Sequence, residues 1–124
     1  MARVLIADDA SFMRQMIREI IEPEGHEVVG EATNGIEAVD LFKELAPDLV
    51  TMDIVMPGKD GVAAATELLA AHPTAVVVMC TSMTTRDKVV ACQKVGVAHY
   101  LLKPFQPERA IAVFRHVLNR AGAA

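Results

Sequence analysis

The sequence predicts an α/β domain: a doubly wound, three-layer α/β/α arrangement in which five parallel strands alternate with five helices. Three observations lead there. Short β-like runs alternate with amphipathic stretches along the whole chain. Three of the runs (VLIA, LVTM and AVVVMC) are nearly unbroken in apolar residues, as in parallel strands covered on both faces. The 124 residues, 52% apolar and 23% charged, suit one globular domain with one core rather than a disordered chain.

Each element has its own signal. The first strand is expected over Arg3–Ala7, followed by a helix with Ser11 as its N-cap. In that helix Phe12, Met13, Met16, Ile17, Ile20 and Ile21 share the inward face, and Arg14, Gln15, Arg18, Glu19 and Glu22 the outward one. Glu27–Ala32 reads as the second strand, and Asn34 caps a helix over Gly35–Leu45. Leu49–Met52 is the third strand, with a helix over Gly61–Ala71. Ala75–Cys80 is the fourth, and Thr84 or Thr85 caps a helix over Arg86–Val95. His99–Leu102 completes the sheet. Pro107 then opens the last helix, where Ala110, Ile111, Phe114, Val117 and Leu118 repeat the apolar pattern. Ala121–Ala124 reads as a frayed tail, and with no repeat or linker the expectation is a single domain over 1–124.

Composition narrows the function. A net charge of −4 argues against a nucleic-acid partner, which needs a basic surface to neutralise phosphates. No cationic leader or spanning apolar stretch marks export or a membrane, which points to the cytoplasm. Cys80 and Cys92 fit neither a disulfide framework nor a zinc knuckle and read as reduced, packed thiols. His26, His72, His99 and His116 lack metal-ligand spacing and read as surface or packing residues.

In a doubly wound sheet the functional crevice lies outside the carboxyl ends of the strands. Those ends are Ala7-Asp8-Asp9, Met52-Asp53, Cys80-Thr81-Ser82 and Leu102-Lys103-Pro104. Each alone is bland: a cap, a turn hydroxyl, a surface lysine. Together they bring three acids, two hydroxyls and a lysine to one sheet edge. Three carboxylates in one cavity either raise a pKa or bind a cation, and a hard oxygen-rich site suits Mg²⁺, with Mn²⁺ as a substitute. The adjacent acids Asp8 and Asp9 then have a purpose. A bound cation and the Lys103 ammonium would favour an incoming phosphoryl group, with Asp53 as carboxylate nucleophile and Thr81 as a donor to a phosphoryl oxygen.

The stretches "VLIADDASFMR", "TMDIVMPGKDG", "MCTSM" and "HYLLKPFQP" resemble response-regulator receiver domains over essentially the whole chain, most like stand-alone chemotaxis regulators of the CheY type. The resemblance implies a (βα)5 domain with the flavodoxin-like strand order 2-1-3-4-5 of that family. It implies Asp53 as phosphoacceptor, taking phosphate from a histidine kinase. Asp9, Asp53 and the Val55 backbone carbonyl would ligate Mg²⁺ directly, and Asp8 through water. Lys103, Thr81 and the backbone amides of Val55 and Ser82 would hold the phosphoryl oxygens. Lys103-Pro104 would be a cis peptide, and Tyr100 a switch aromatic coupled to Thr81. Val55 and Met83 would border the path of the hydrolytic water, so that a separate phosphatase supplies the polar group they lack. The chain would be a monomeric switch without external substrate turnover, signalling to a partner such as a flagellar motor switch protein.

Three rivals remain. A haloacid-dehalogenase-type phosphatase also uses an aspartyl nucleophile, but needs an acid two residues later, where Val55 stands. A flavodoxin-like electron carrier would find its cofactor phosphate repelled by Asp8 and Asp9. A receiver belonging to a larger regulator with an output domain is the third; the acidic chain ending in small residues favours the stand-alone reading.

Overall fold

The computed structural model describes residues 1–121. Strands β1 (Arg3–Ala7), β2 (Glu27–Ala32), β3 (Leu49–Met52), β4 (Val77–Thr81) and β5 (His99–Leu102) form one sheet in the order β2-β1-β3-β4-β5. Every pairing is parallel. Helices α1 (Ser11–Ile21), α2 (Gly35–Leu45), α3 (Gly61–Ala71), α4 (Arg86–Val95) and α5 (Pro107–Ala121) make the crossovers. The expected class and strand order both hold.

The two-residue period of the strands sorts the core into two halves. Val4, Ile6, Leu49 and Val78 pack with Met13, Ile17, Ile21, Phe114 and Leu118, so α1 and α5 cover one face. Leu5, Val50, Met52, Val77 and Met79 pack with Phe42, Leu68 and Cys92, so α2, α3 and α4 cover the other. Because β1, β3 and β4 are sandwiched, their apolar runs are continuous, and each fully buried Leu or Ile contributes roughly 1.5–3 kcal/mol. Two glycines let helices approach the edge that carries the acids. A Cβ on Gly61 would collide with the Asp53 carbonyl, and one on Gly35 with the Lys59 carbonyl. The Gly61 N–H donates to the Ile54 carbonyl at 2.8 Å, so α3 starts directly beneath the residue after Asp53.

Several expectations need correction. β4 begins at Val77 and ends at Thr81, not Ala75–Cys80, because the ladder with β3 starts at Val50–Val77 and Ala75 closes a turn on His72. Apolar sequence overran the ladder at its start. Ser11 is already helical; the cap position is Ala10, whose side chain has nothing to offer, and the Asp8 carboxylate instead accepts from the Ala10 N–H at 2.9 Å. Asn34 caps α2 as expected, accepting from Glu37 N–H at 2.8 Å. Thr85, not Thr84, stands at the α4 cap, without a side-chain bond. Phe12 is 72% exposed, since at the start of α1 its side chain leans back beyond the rim of the core. Glu22 opens a short 3₁₀ turn, Glu22–Glu24, entered through Pro23. Both cysteines are free and buried. Of the expected frayed tail, Ala121 is helical and residues 122–124 lie outside the described residues.

Candidate functional site

Parallel register carries four strand ends to one level. Ala7 pairs with Met52, Met52 with Met79, and Thr81 with Leu102, so Asp8, Asp53, Thr81 and Lys103 emerge side by side. Asp8 and Asp53 are buried, at 1% and 8% exposure, while Asp9 faces solvent. Carboxylate oxygens of the three lie within 4.8 Å of one another.

The two buried acids are tied down by backbone. The Asp8 N–H donates to the Ala32 carbonyl at 2.9 Å, anchoring the end of β1 to β2. The Asp53 N–H donates to the Ala7 carbonyl at 3.0 Å, and its own Oδ1 accepts from Ile54 N–H at 2.7 Å. Lys103 reaches in from β5, its N–H held by the Thr81 carbonyl at 2.8 Å. Its ammonium donates to Asp8 Oδ2 at 2.6 Å and to Asp53 Oδ2 at 3.1 Å. Burial pulls the Lys103 pKa down, but the bonds to Asp8 and Asp53 and their charges together outweigh it, and the net direction is up. Lys103 is therefore a fixed cation between two carboxylates. The Lys103-Pro104 bond is cis, as the resemblance implied.

Thr81 and Tyr100 meet at one residue. The Met83 N–H donates to Thr81 Oγ1 at 3.2 Å, and the Tyr100 hydroxyl donates to the Met83 carbonyl at 2.6 Å. The two side chains grip the same loop by its opposite backbone groups. Burial raises the Tyr100 pKa, keeping the hydroxyl a donor. Of the two apolar positions near the acceptor, Val55 is 59% exposed and Met83 packs partly into the α2–α4 face. Ser82 is exposed beside them. Below the pocket, burial pushes the Cys80 thiol up to about 12, which makes it an inert packing group.

Two contributors escaped the sequence reading. Asp60 caps α3, its Oδ1 accepting from Ala63 N–H at 2.8 Å; an acid one residue before the helical Gly61 was the available signal. Arg14, expected on the outward face, folds back so that its Nη1 donates to the Asp8 carbonyl at 2.7 Å. No periodicity announces that bond.

The donor set consists of carboxylate oxygens with no imidazole or thiolate, which fits a hard divalent cation and not zinc. Among the described residues no helix is long and apolar enough to cross a membrane.

Comparison with known proteins agrees with this geometry. The family model for the response regulator receiver domain matches residues 4–115. The chemotaxis protein CheY of Thermotoga maritima is 47% identical over 115 residues, covering 93% of this chain and 96% of its own. CheY of Bacillus subtilis is 44% identical over 117 residues, covering 94% of this chain and 98% of its own. Among solved structures, the CheX-CheY-BeF3-Mg²⁺ complex from Borrelia burgdorferi is similar at a TM-score of 0.90 and 28% identity, covering 94% of this chain and 88% of that one. With four strand ends presenting three acids, a threonine and a lysine, and a family match across nearly the whole fold, the chain belongs to the response regulator receiver domain family and is a two-component response regulator.

Proposed function

We propose that Asp53 accepts a phosphoryl group from the phosphohistidine of a histidine kinase, and that residues 1–124 act as a single receiver domain in the cytoplasm. The observation that carries this reading is the placement of the Asp53 carboxylate, buried beside the Asp8/Asp9 pair and bonded to the Lys103 ammonium that Asp8 shares. A carboxylate in the open would be a poor nucleophile toward a phosphoryl dianion. Here the Lys103 ammonium offsets that repulsion, and a divalent cation held by the acids would offset it further.

The proposed chemistry is a transfer. Asp53 Oδ2, the oxygen facing Lys103, forms a bond to phosphorus while the phosphorus–nitrogen bond to the donor imidazole breaks; the imidazole leaves with the electron pair and takes a proton from solvent. Lys103 follows the charge from the Asp53 carboxylate onto a phosphoryl oxygen, and the Thr81 hydroxyl and the Val55 and Ser82 amides receive the others. Asp9, Asp53 and the Val55 carbonyl would hold Mg²⁺, with Asp8 acting through water; when bound, the ion supplies positive charge that offsets that of the arriving phosphoryl group. Nothing is turned over: the product is the modified protein.

The output follows from the Met83 loop. When Thr81 turns to the phosphoryl group, its Oγ1 gives up the Met83 N–H, and Tyr100, bonded to the same residue, resettles with the loop. The face formed by α4, β5 and α5, from Arg86 to Arg120, changes shape as a result. About 5.5 kcal/mol of differential stabilisation suffices for a full population swing. The relatives named CheY support a motility target for that face, such as a flagellar motor switch protein, engaged by a monomer and reset by a separate phosphatase.

The test is phosphotransfer from a labelled phosphohistidine donor with Mg²⁺ to wild type and Asp53→Asn, with and without chelator. Wild type takes label only with Mg²⁺, and Asp53→Asn takes none because an amide is no nucleophile. Undiminished labelling of Asp53→Asn overturns the assignment.

A further inference from the structure

The least expected contact near the acids comes from a residue that touches none of their three carboxylates. Arg14 lies on the first turn of α1, where an arginine normally extends into water, yet its side chain is only 15% exposed. It lies flat against the end of β1, with Nη1 donating to the Asp8 carbonyl at 2.7 Å and Nε to Glu31 Oε1 at 2.7 Å. The other oxygen of Glu31 accepts from Arg18 Nη2 at 2.7 Å, and Arg18 Nη1 in turn donates to Glu22 at 3.0 Å. A single carboxylate on β2 is thus shared by two arginines one helical turn apart. The two guanidiniums, Arg18 first, hold the Glu31 carboxyl below its ordinary value.

That network ends on one peptide plane. The Asp8 carbonyl and the Asp9 N–H belong to the same planar unit, so clamping the oxygen sets the orientation of the Asp9 backbone. Asp9 is the exposed member of the acid pair, and among the described residues its N–H has no backbone partner to do the same work. Asp8 is held independently, by the Ala32 carbonyl, the Ala10 amide and Lys103. The positive charge of Arg14 is taken up by Glu31, so what remains for the acidic loop is geometry.

We propose that Arg14, braced by Glu31, is a positioning residue that sets the Asp8–Asp9 peptide and thereby the divalent-cation affinity of the acid pair. The proposal rests on the reading of these acids as a Mg²⁺ site. Partners that orient metal ligands from outside typically change affinity 10–100-fold when removed, and a carbonyl clamp one peptide away belongs at the lower end, about tenfold.

The experiment is calorimetric titration of Mg²⁺, without phosphodonor, into wild type, Arg14→Ala, Arg14→Lys, Glu31→Gln and Arg115→Ala, together with the amide resonances of Asp9 and Ala10. Arg14→Ala is expected to weaken Mg²⁺ binding about tenfold and to shift the Asp9 amide. Arg14→Lys should recover part of the loss, because an ammonium reaches the carbonyl but cannot fork to Glu31 as well. Glu31→Gln should fall between. Arg115→Ala removes the ion pair with Glu24 at the 3₁₀ turn and should leave Mg²⁺ binding unchanged. If Arg14→Ala does not fold, Arg14→Lys and Glu31→Gln decide the question by the same readouts. A folded Arg14→Ala with affinity within twofold of wild type and an unshifted Asp9 amide overturns the proposal, as does equal weakening by Arg115→Ala. Absence of Mg²⁺ binding by wild type would instead remove the metal reading, and the Asp9 resonance would still judge the tether.

Discussion

Replacing Lys103 by Met leaves two carboxylates, 1% and 8% exposed, facing one another without their shared cation. At an effective dielectric of about 20, contacts of 2.6 and 3.1 Å correspond to gross attractions of about 6 and about 5 kcal/mol. Desolvation offsets most of that while the pair is intact, but removing one partner strands the other charges, which costs about 3–5 kcal/mol. The Lys103 side chain keeps 14% of its surface in solvent, so the expected loss is at the lower end, about 3 kcal/mol. In a chain of this size that is roughly a 10 °C fall in Tm. The assay is urea unfolding followed by far-UV circular dichroism near neutral pH with chelator present, on wild type, Lys103→Met and Lys103→Met/Asp8→Asn. The double variant holds one charge in place of two and should recover at least half of the loss. Added Mg²⁺ should restore Lys103→Met more than it raises wild type, because the ammonium no longer competes for the same oxygens. A Lys103→Met midpoint equal to wild type, or a double variant no more stable than the single, would refute the reasoning.

Three further outcomes are expected. Val55→Asn and Met83→Glu should each speed loss of phosphate from the phosphoprotein, by a few-fold or more at fixed Mg²⁺, since each puts a polar group at a position that is now apolar; decay equal to wild type in both and in the double variant would show that these positions do not set the lifetime. Gly61→Ala should destabilise the fold by about 3 kcal/mol or more and slow phosphorylation together, because the new Cβ meets the Asp53 carbonyl backbone rather than a yielding side chain; urea unfolding and initial labelling rates read both. The pKa of Lys103 is raised above its ordinary 10.5, so the stability it contributes is complete below 10.5 and lost as pH climbs through the higher folded value. The difference in unfolding free energy between wild type and Lys103→Met should therefore hold steady through neutral and mildly alkaline pH and shrink above 10.5, and a difference that shrinks near neutrality would contradict the assignment.

How much of this was legible in the sequence varies by residue. β1 and β3 ended where expected because an apolar run stops at an acid, and an acid cannot continue a two-sided core. β4 starts later than its apolar run because Ala75 is turned back onto His72 and Val76 lends only its carbonyl, to the Val50 N–H at 2.9 Å, before the ladder opens at Val77; an apolar run alone does not mark a ladder. The meeting of the four strand ends is legible because doubly wound topology dictates which edge collects them. Side-chain bonds across elements were beyond reach. Helical periodicity places Met13 correctly in the first turn of α1 but not its neighbours: Phe12 extends past the rim of the core, and Arg14 bonds to groups on β1 and β2 that the helix pattern does not contain. The Arg14 contact also needs Glu31, on a strand that periodicity alone does not place beside α1. The joint grip of Thr81 and Tyr100 on Met83 depends on how a loop bends and is likewise a property of the fold.

Asp53, and no other carboxylate of the cluster, is the proposed carrier of the phosphoryl group. Acyl phosphates are reduced by borohydride to the corresponding alcohol, which converts a phosphorylated aspartate into homoserine and leaves free carboxylates untouched. Wild-type protein phosphorylated in the presence of Mg²⁺, reduced and mapped by peptide mass spectrometry should show homoserine at position 53 alone, with Asp8, Asp9 and Asp60 unchanged. Homoserine at Asp8 or Asp9, or a phosphoprotein that survives reduction because the group sits on Thr81 or Ser82, would contradict it.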